Sequence, residues 1–291
     1  MSGSTSNLGP GFDLLGLALS LSLRASVVGR SEEGPVLRSR AGEARTWPDG
    51  SEDLLLRAFE RAQRELGGDG AWVLEATSEI PVGRGLGSSA AAIAAGLLLG
   101  EALAPRRAGR ERLLGWAVEI EGHPDNVAPA LFGGCVISAP RAEGPPRIVR
   151  IELHPSLGFA VAWPEARLET RFARSLLPRE VPLADAVENA RRLALLLEGL
   201  RSGEPELLAL GVEDRLHVPY RLPHIPGGAA ALEAARAAGS LCATISGSGT
   251  ALFAIAPHER AQAAADAMAS AFRAATGHGT GRVVHPVLQA P

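Results

Sequence analysis

No lysine occurs among the 291 residues; all 29 basic residues are arginine. That absence excludes a Schiff-base lysine, a lysine general base and the phosphate-binding lysine of a Walker loop. Cysteine is almost as scarce. Cys135 and Cys242 lie in apolar segments without metal-ligand spacing and are expected as buried thiols in a reducing cytoplasm. There is no basic block, and a formal net charge of -3 argues against nucleic acid as a partner. Long apolar runs are missing too. Ala90–Leu99 is short, interrupted by Gly96 and followed by Glu101, so it reads as a buried helix and not a membrane span. Ser2–Asn7 is polar and carries no signal-peptide pattern, so nothing directs export.

What is present suits a folded protein with one large core or two medium ones, since 46% of the residues are hydrophobic; two domains are the better expectation at this length. Leu14–Val28 reads as strand, and Leu54–Leu66 has helical spacing that stops at Gly67-Gly68. Ala71–Ala76 reads as a strand that leads into a loop at Pro81. Helices are predicted over Ser88–Ala104, Arg110–Glu121, Leu183–Leu200, Ala229–Ala238 and Arg260–Ala275. Strand character marks Val136–Ser138, Val149–Leu153, Gly158–Trp163, Ala243–Ile255 and Arg282–Leu288. The mixture predicts an α+β or α/β two-layer architecture.

The segment Pro81–Ala92 carries the plainest chemistry. Gly83, Gly85 and Gly87 permit positive φ and a close backbone approach to a ligand. Ser88, Ser89, Ala90 and Ala91 then begin a helix whose first amides lack intrahelical acceptors, which suits a polyanion such as a chain of phosphates. No charged side chain occurs in Gly85–Gly100, whereas Arg84 could add positive charge beside the loop. The glycine spacing is wrong for a dinucleotide fingerprint, and a plain helix start capped by Ser88 would use the same residues.

The full string Pro-x-x-x-Gly-Leu-Gly-Ser-Ser-Ala-Ala resembles the ATP-binding motif of the GHMP kinases, a family of small-molecule kinases. The resemblance implies that Pro81, Val82, Gly83, Arg84, Gly85, Leu86, Gly87, Ser88, Ser89, Ala90 and Ala91 wrap the triphosphate of ATP. It also implies a serine hydroxyl on Mg2+, Ser88 first and Ser89 second. Two further segments, Asn7-Leu8-Gly9-Pro10-Gly11-Phe12-Asp13 and Glu121-Gly122-His123-Pro124-Asp125-Asn126, resemble the homoserine kinases within that family. Two of the three asparagines in the chain, Asn7 and Asn126, fall in them. Helical phase of about 100° per residue sets Glu121 beside the buried face of Leu113, Ala117 and Ile120 and turns Glu119 outward, so Glu121 is the expected metal ligand.

Thr170–Pro178 and Asp214–Arg221 are similar to the stretches in which the family uses arginine for the substrate carboxylate, here Arg174 and Arg221. Ile245-Ser246-Gly247-Ser248-Gly249-Thr250 is similar to a third glycine loop that reaches the site from the second domain, although Thr250-Ala251 stands where the family usually reads Pro-Thr. The strand that usually precedes the first motif is missing, and Gly3 replaces a usual alanine. The resemblance implies a two-domain GHMP fold: a ribosomal protein S5 domain 2-like domain over 1–158, binding ATP, and a ferredoxin-like domain over 159–291. It implies L-homoserine and ATP as substrates, with a homodimer as the family's assembly. Asp13 is expected to meet the ammonium group, Asn7, His123 and Asn126 to surround the hydroxyl, and Asp125 to be a weak candidate base. A kinase of the same family for another metabolite, and an inactive sensor of ATP, are the rival expectations.

Overall fold

The computed structural model describes residues 1–290 as two β-sheets with helices packed on them. The first unit contains strands β1 (Ser2–Asn7), β2 (Gly11–Arg30), β3 (Val36–Gly42), helix α1 (Leu54–Leu66) and β4 (Trp72–Ser78). It continues through α2 (Ser88–Leu103), α3 (Arg110–Glu121), α4 (Pro124–Phe132), β5 (Cys135–Ala139) and β6 (Arg147–Ile151). Its six-stranded sheet runs β3-β4-β2-β5-β6, with β1 also paired to β2.

The second unit begins with β7 (Leu157–Trp163), α5 (Thr170–Ser175), α6 (Leu183–Ser202), α7 (Pro205–Gly211) and α8 (Val218–Arg221). It ends with α9 (Gly228–Ala237), β8 (Cys242–Ile245), β9 (Leu252–Pro257), α10 (Ala261–Thr276) and β10 (Thr280–Val284). Its antiparallel sheet runs β10-β7-β9-β8. Alternation along β7 divides its buried residues. Ala160 and Ala162 pack against α9 and α10, whereas Phe159, Val161 and Trp163 join a core that continues into the first unit through Leu8 and Leu15. The expected division at 158/159 falls inside β7.

Local rules account for the helices that position the site. Asp53, with a fully buried side chain, accepts the amide N–H groups of Leu55 and Leu56 at 2.9 and 3.1 Å and so caps α1. Gly67, at φ 81°, ends that helix, as Gly122 at φ 91° ends α3. Both helices have the limits expected from spacing. Ala243–Ile255, read as one strand-like stretch, is two strands joined by the Ser246–Gly249 turn.

The polar opening segment forms an element that the sequence reading did not assign. Ser2–Asn7 forms β1 and is buried along its whole length. Three of its four hydroxyls find partners inside the protein: Ser4 Oγ donates to Asn126 Oδ1, Ser6 Oγ accepts from Asn126 Nδ2 and Thr5 Oγ1 is hydrogen-bonded with Ser246 Oγ, each at 2.9 Å, while Ser2 Oγ has no partner. A polar strand can be buried when most such groups are satisfied. Cys135 and Cys242 are buried and unpaired, and burial pushes both thiols up to about 12.

Candidate active site

A cleft of about 980 Å3, open to solvent, lies where the two units meet. The phosphate loop forms one wall. No side chain caps α2, whose N-cap is Gly87 at φ 73°, so its first amides face the cleft uncompensated. Gly85 is backed by the second unit. A Cβ there would stand 2.1 Å from the Ser246 carbonyl oxygen, and the Ser246 hydroxyl donates to the Gly85 carbonyl at 2.7 Å.

Three residues of the loop expectation need correction. The Arg84 side chain points away from the cleft and donates to the carbonyl oxygens of Pro164, Val82 and Glu165 at 3.1, 3.1 and 2.9 Å. It fastens the loop to the segment after β7 and offers no charge to a ligand. Burial lowers its pKa, but the group remains a cation at neutral pH. Ala90 and Ala91 are buried behind the helix start, and Ala92 reaches the cleft in their place. Pro81, Val82, Gly83, Gly85, Leu86, Gly87, Ser88 and Ser89 all line it.

The floor is acidic. Glu121 stands inward at the end of α3 with 10% side-chain exposure, while Glu119, at 62%, pairs with Arg61 on the surface, as helical phase predicts. The hydroxyl that reaches Glu121 is that of Ser89, donating at 2.5 Å, and not that of Ser88, the serine preferred from sequence. Burial raises the Glu121 pKa against the Ser89 hydrogen bond and the nearby His123. A buried carboxylate with one hydrogen-bond donor has lone pairs left over, which suits a hard cation. Among the described residues no cluster of three or more His, Cys, Asp or Glu side chains forms a metal cage. Mg2+ does not need one when nucleotide phosphates complete its shell.

His123 and Asp125 flank the start of α4. His123 Nδ1 lies 2.5 Å from Asp125 Oδ1, and its Nε2 lies 4.0 Å from Glu121. Burial pulls the His123 pKa down, but the Asp125 hydrogen bond and the two carboxylate charges outweigh it, so the net shift is upward. Asp125 is 2% exposed; burial alone would raise its pKa, but the His123 bond and charge and the Ser6 hydrogen bond bring it down. A raised histidine pKa stabilises the fold fully below the unfolded value of about 6.5 and loses that contribution as pH rises through the folded value. His123→Gln, measured without divalent metal, should therefore cost more unfolding free energy at pH 5.5 than at pH 8.5. Equal costs in urea titrations at the two pH values would contradict the pairing.

The opposite wall is built from the Asn7–Asp13 turn. Asn7, Leu8 and Asp13 all take positive φ, at 70°, 48° and 55°. The Asn7 amide holds this shape: its Oδ1 accepts from the Asp13 backbone N–H at 3.0 Å, and its Nδ2 donates to the Gly247 carbonyl at 2.9 Å. Asn126 is half committed in the same way, accepting from Ser4 and donating to Ser6 Oγ at 2.9 Å, which leaves one amide N–H for a ligand.

Asp13 and Arg174 do not stand apart. They form a two-pronged ion pair, at 2.9 and 2.7 Å, across 161 residues of sequence. Arg221 lies beside them, 2% exposed, with burial and then the Arg174 charge pulling its pKa down to about 10. Trp47, Pro48, Leu54, Thr170 and Ser248 also line the cleft. Thr170 and Ser248 belong to segments matched from sequence, whereas Trp47, Pro48 and Leu54 were missed. A tryptophan next to proline in a polar turn segment was the one available signal.

The fold and this cleft define a class. Family models describe residues 53–134 as the GHMP kinases N terminal domain and 196–274 as the GHMP kinases C terminal, and the chain belongs to the GHMP kinase family. Curated homoserine kinases are among its relatives within that family. That of Synechococcus sp. (strain RCC307) is 44% identical over 272 residues, 91% of this chain and 85% of the relative. That of Prochlorococcus marinus (strain MIT 9303) is 42% identical over 277 residues, 93% and 87% of the two chains. The crystal structure of homoserine kinase from Cytophaga hutchinsonii superimposes with a TM-score of 0.88 at 29% identity, covering 99% of this chain and 94% of the other. The crystal structure of L. major mevalonate kinase, at 15% identity and a TM-score of 0.73 over 100% of this chain and 95% of the other, shares the fold.

Proposed function

We propose that the chain is a homoserine kinase, moving the γ-phosphoryl group of ATP onto the side-chain hydroxyl of L-homoserine and releasing ADP. One observation carries the reading. A single cleft has free helix amides on one wall and, on the other, Asp13 with Arg174 and Arg221. The first wall suits a triphosphate; the second suits a molecule with an ammonium and a carboxylate group. In the free protein Asp13 and Arg174 neutralise each other. An amino-acid zwitterion supplies a replacement partner to each, whereas a singly charged or neutral alcohol replaces at most one. That argues against mevalonate or a sugar as acceptor.

The protein's part in the chemistry is positional. Asn126 has an amide N–H available to orient the acceptor hydroxyl, with His123 and Asp125 beside it. A carboxylate held below its usual pKa is a weak base, so the arrangement favours alignment over proton abstraction. Glu121 and Ser89, with Ser88 adjacent, offer the oxygen donors for Mg2+. That ion, when bound with ATP, offsets the charge of the phosphates. Trp47, Pro48 and Leu54 give the cleft an apolar end for the nucleotide base.

A coupled ADP-release assay with L-homoserine, mevalonate and galactose tests the reading. Turnover with mevalonate or galactose but not homoserine would remove the acceptor assignment, and ATP binding without any turnover would favour a sensor. Arg174→Ala should raise the homoserine KM about ten- to hundredfold, the worth of one charged hydrogen-bonded contact, with the ATP KM unchanged. An equal rise in both constants would count against its role at the carboxylate.

A further inference from the structure

Arg221 is a buried cation with no acidic partner. Among the described residues it forms no ion pair; Asp13, the carboxylate nearest in role, is engaged by Arg174. Its guanidinium donates only to neutral acceptors: the Gly247 carbonyl at 3.2 Å, the Ala173 carbonyl at 3.4 Å and His217 Nδ1 at 3.3 Å. A buried charge left in this state needs an anion, and the cleft is where one can come from. Its usefulness then depends on which way the planar fork is turned.

We propose that His217 is a positioning residue for the acceptor site, its Nδ1 lone pair turning the Arg221 guanidinium toward the substrate carboxylate; this rests on the homoserine kinase reading above. The ring is held on every side. Its Nε2 lies 2.9 Å from the Gly9 carbonyl oxygen, which takes a proton only from an N–H, so Nε2 carries the hydrogen and Nδ1 is bare. Phe12 stacks on one face, with ring centroids 5.2 Å apart and planes 25° apart, and the Arg221 guanidinium carbon lies 5.2 Å from the same phenyl ring. Asp214 Oδ2 accepts the backbone N–H groups of His217 and Val218, both at 2.7 Å, fixing the turn that carries the ring. His217 itself is fully buried and does not line the cleft, so its effect passes through Arg221.

Two substitutions separate the two ring nitrogens. Asparagine sets an amide oxygen near the position of Nδ1, whereas glutamine reaches only the position of Nε2. His217→Gln should raise the homoserine KM about tenfold, the loss of one hydrogen bond to a charged group, with the ATP KM unchanged. His217→Asn should recover much of that loss. Added to Arg221→Ala, His217→Gln should cause no further rise. If glutamine is tolerated and asparagine is not, the ring serves the Gly9 turn and the inference fails. If Arg221→Ala raises the homoserine KM but His217→Gln does not, positioning alone fails; if Arg221→Ala has no effect, the carboxylate reading fails with it. Should a variant not fold, the 15N resonances of His217 in the wild-type protein decide: an unprotonated Nδ1 supports the proposal, and a protonated one overturns it.

Discussion

Glu121→Gln is expected to lower kcat about a hundred- to thousandfold at fixed Mg2+, with the homoserine KM nearly unchanged. The substitution keeps the shape and an oxygen for the Ser89 hydroxyl, so the start of α2 should stay in place. What it removes is the negative charge, in a position where burial already disfavours charge and yet no arginine has been supplied to balance it. A carboxylate in such surroundings is best explained by a cation that arrives with the substrate. A titration with Mg2+ gives the check: the variant should need far more metal for half-maximal rate. Full activity at ordinary Mg2+ would reduce Glu121 to a structural hydrogen-bond acceptor.

Gly85→Ala should weaken ATP binding at least about a hundredfold. The backbone there has φ 75°, which a side chain adopts at a cost, and the added carbon would lie 2.1 Å from the Ser246 carbonyl oxygen and 2.9 Å from the Gly249 nitrogen. Both obstacles are backbone atoms of the second unit, so neither can swing aside. The phosphate loop must either shift or push the Ser246–Gly249 turn away, and that turn also holds Asn7 and Ser6. Calorimetric titration with ATP measures the loss, and a thermal melt shows how much of it is general unfolding. Unchanged ATP affinity would mean that the loop geometry is not what holds the phosphates.

The parts of this site that were legible in sequence obey short-range rules. Glu121 against Glu119 follows from helical phase within one turn of α3. The limits of α1 follow from helical spacing and the Gly67-Gly68 stop, and the loop glycines announce positive φ. The unreadable parts depend on partners far away in the chain. Arg84 looks like a phosphate ligand until the carbonyl of Pro164, 80 residues on, is seen to take it. Ser88 looks the better metal ligand until the end of α3, 32 residues after Ser89, is seen to take the Ser89 hydroxyl. Ser2–Asn7 reads only as a polar segment, because what buries it as β1 comes from Asn126 and Ser246. The Asp13–Arg174 pair was visible as two matching motifs, but nothing local says that they neutralise each other.

The bonds that join Asn7 and Ser6 to Gly247 carry one more consequence, for the order in which the molecule is made. Asn7 and its acceptor are separated by 240 positions, so the first motif can adopt its working shape only after Gly247 has emerged. Contacts at such separation form late, because the loop they close is large. A ribosome-bound chain halted after α6 would hold the phosphate loop and α2, yet lack the turn that backs Gly85 and the carbonyl that anchors Asn7. Phosphoryl transfer should therefore arise only once the Ser246–Gly249 turn has been made, without a partly active nascent form that could hydrolyse ATP uselessly.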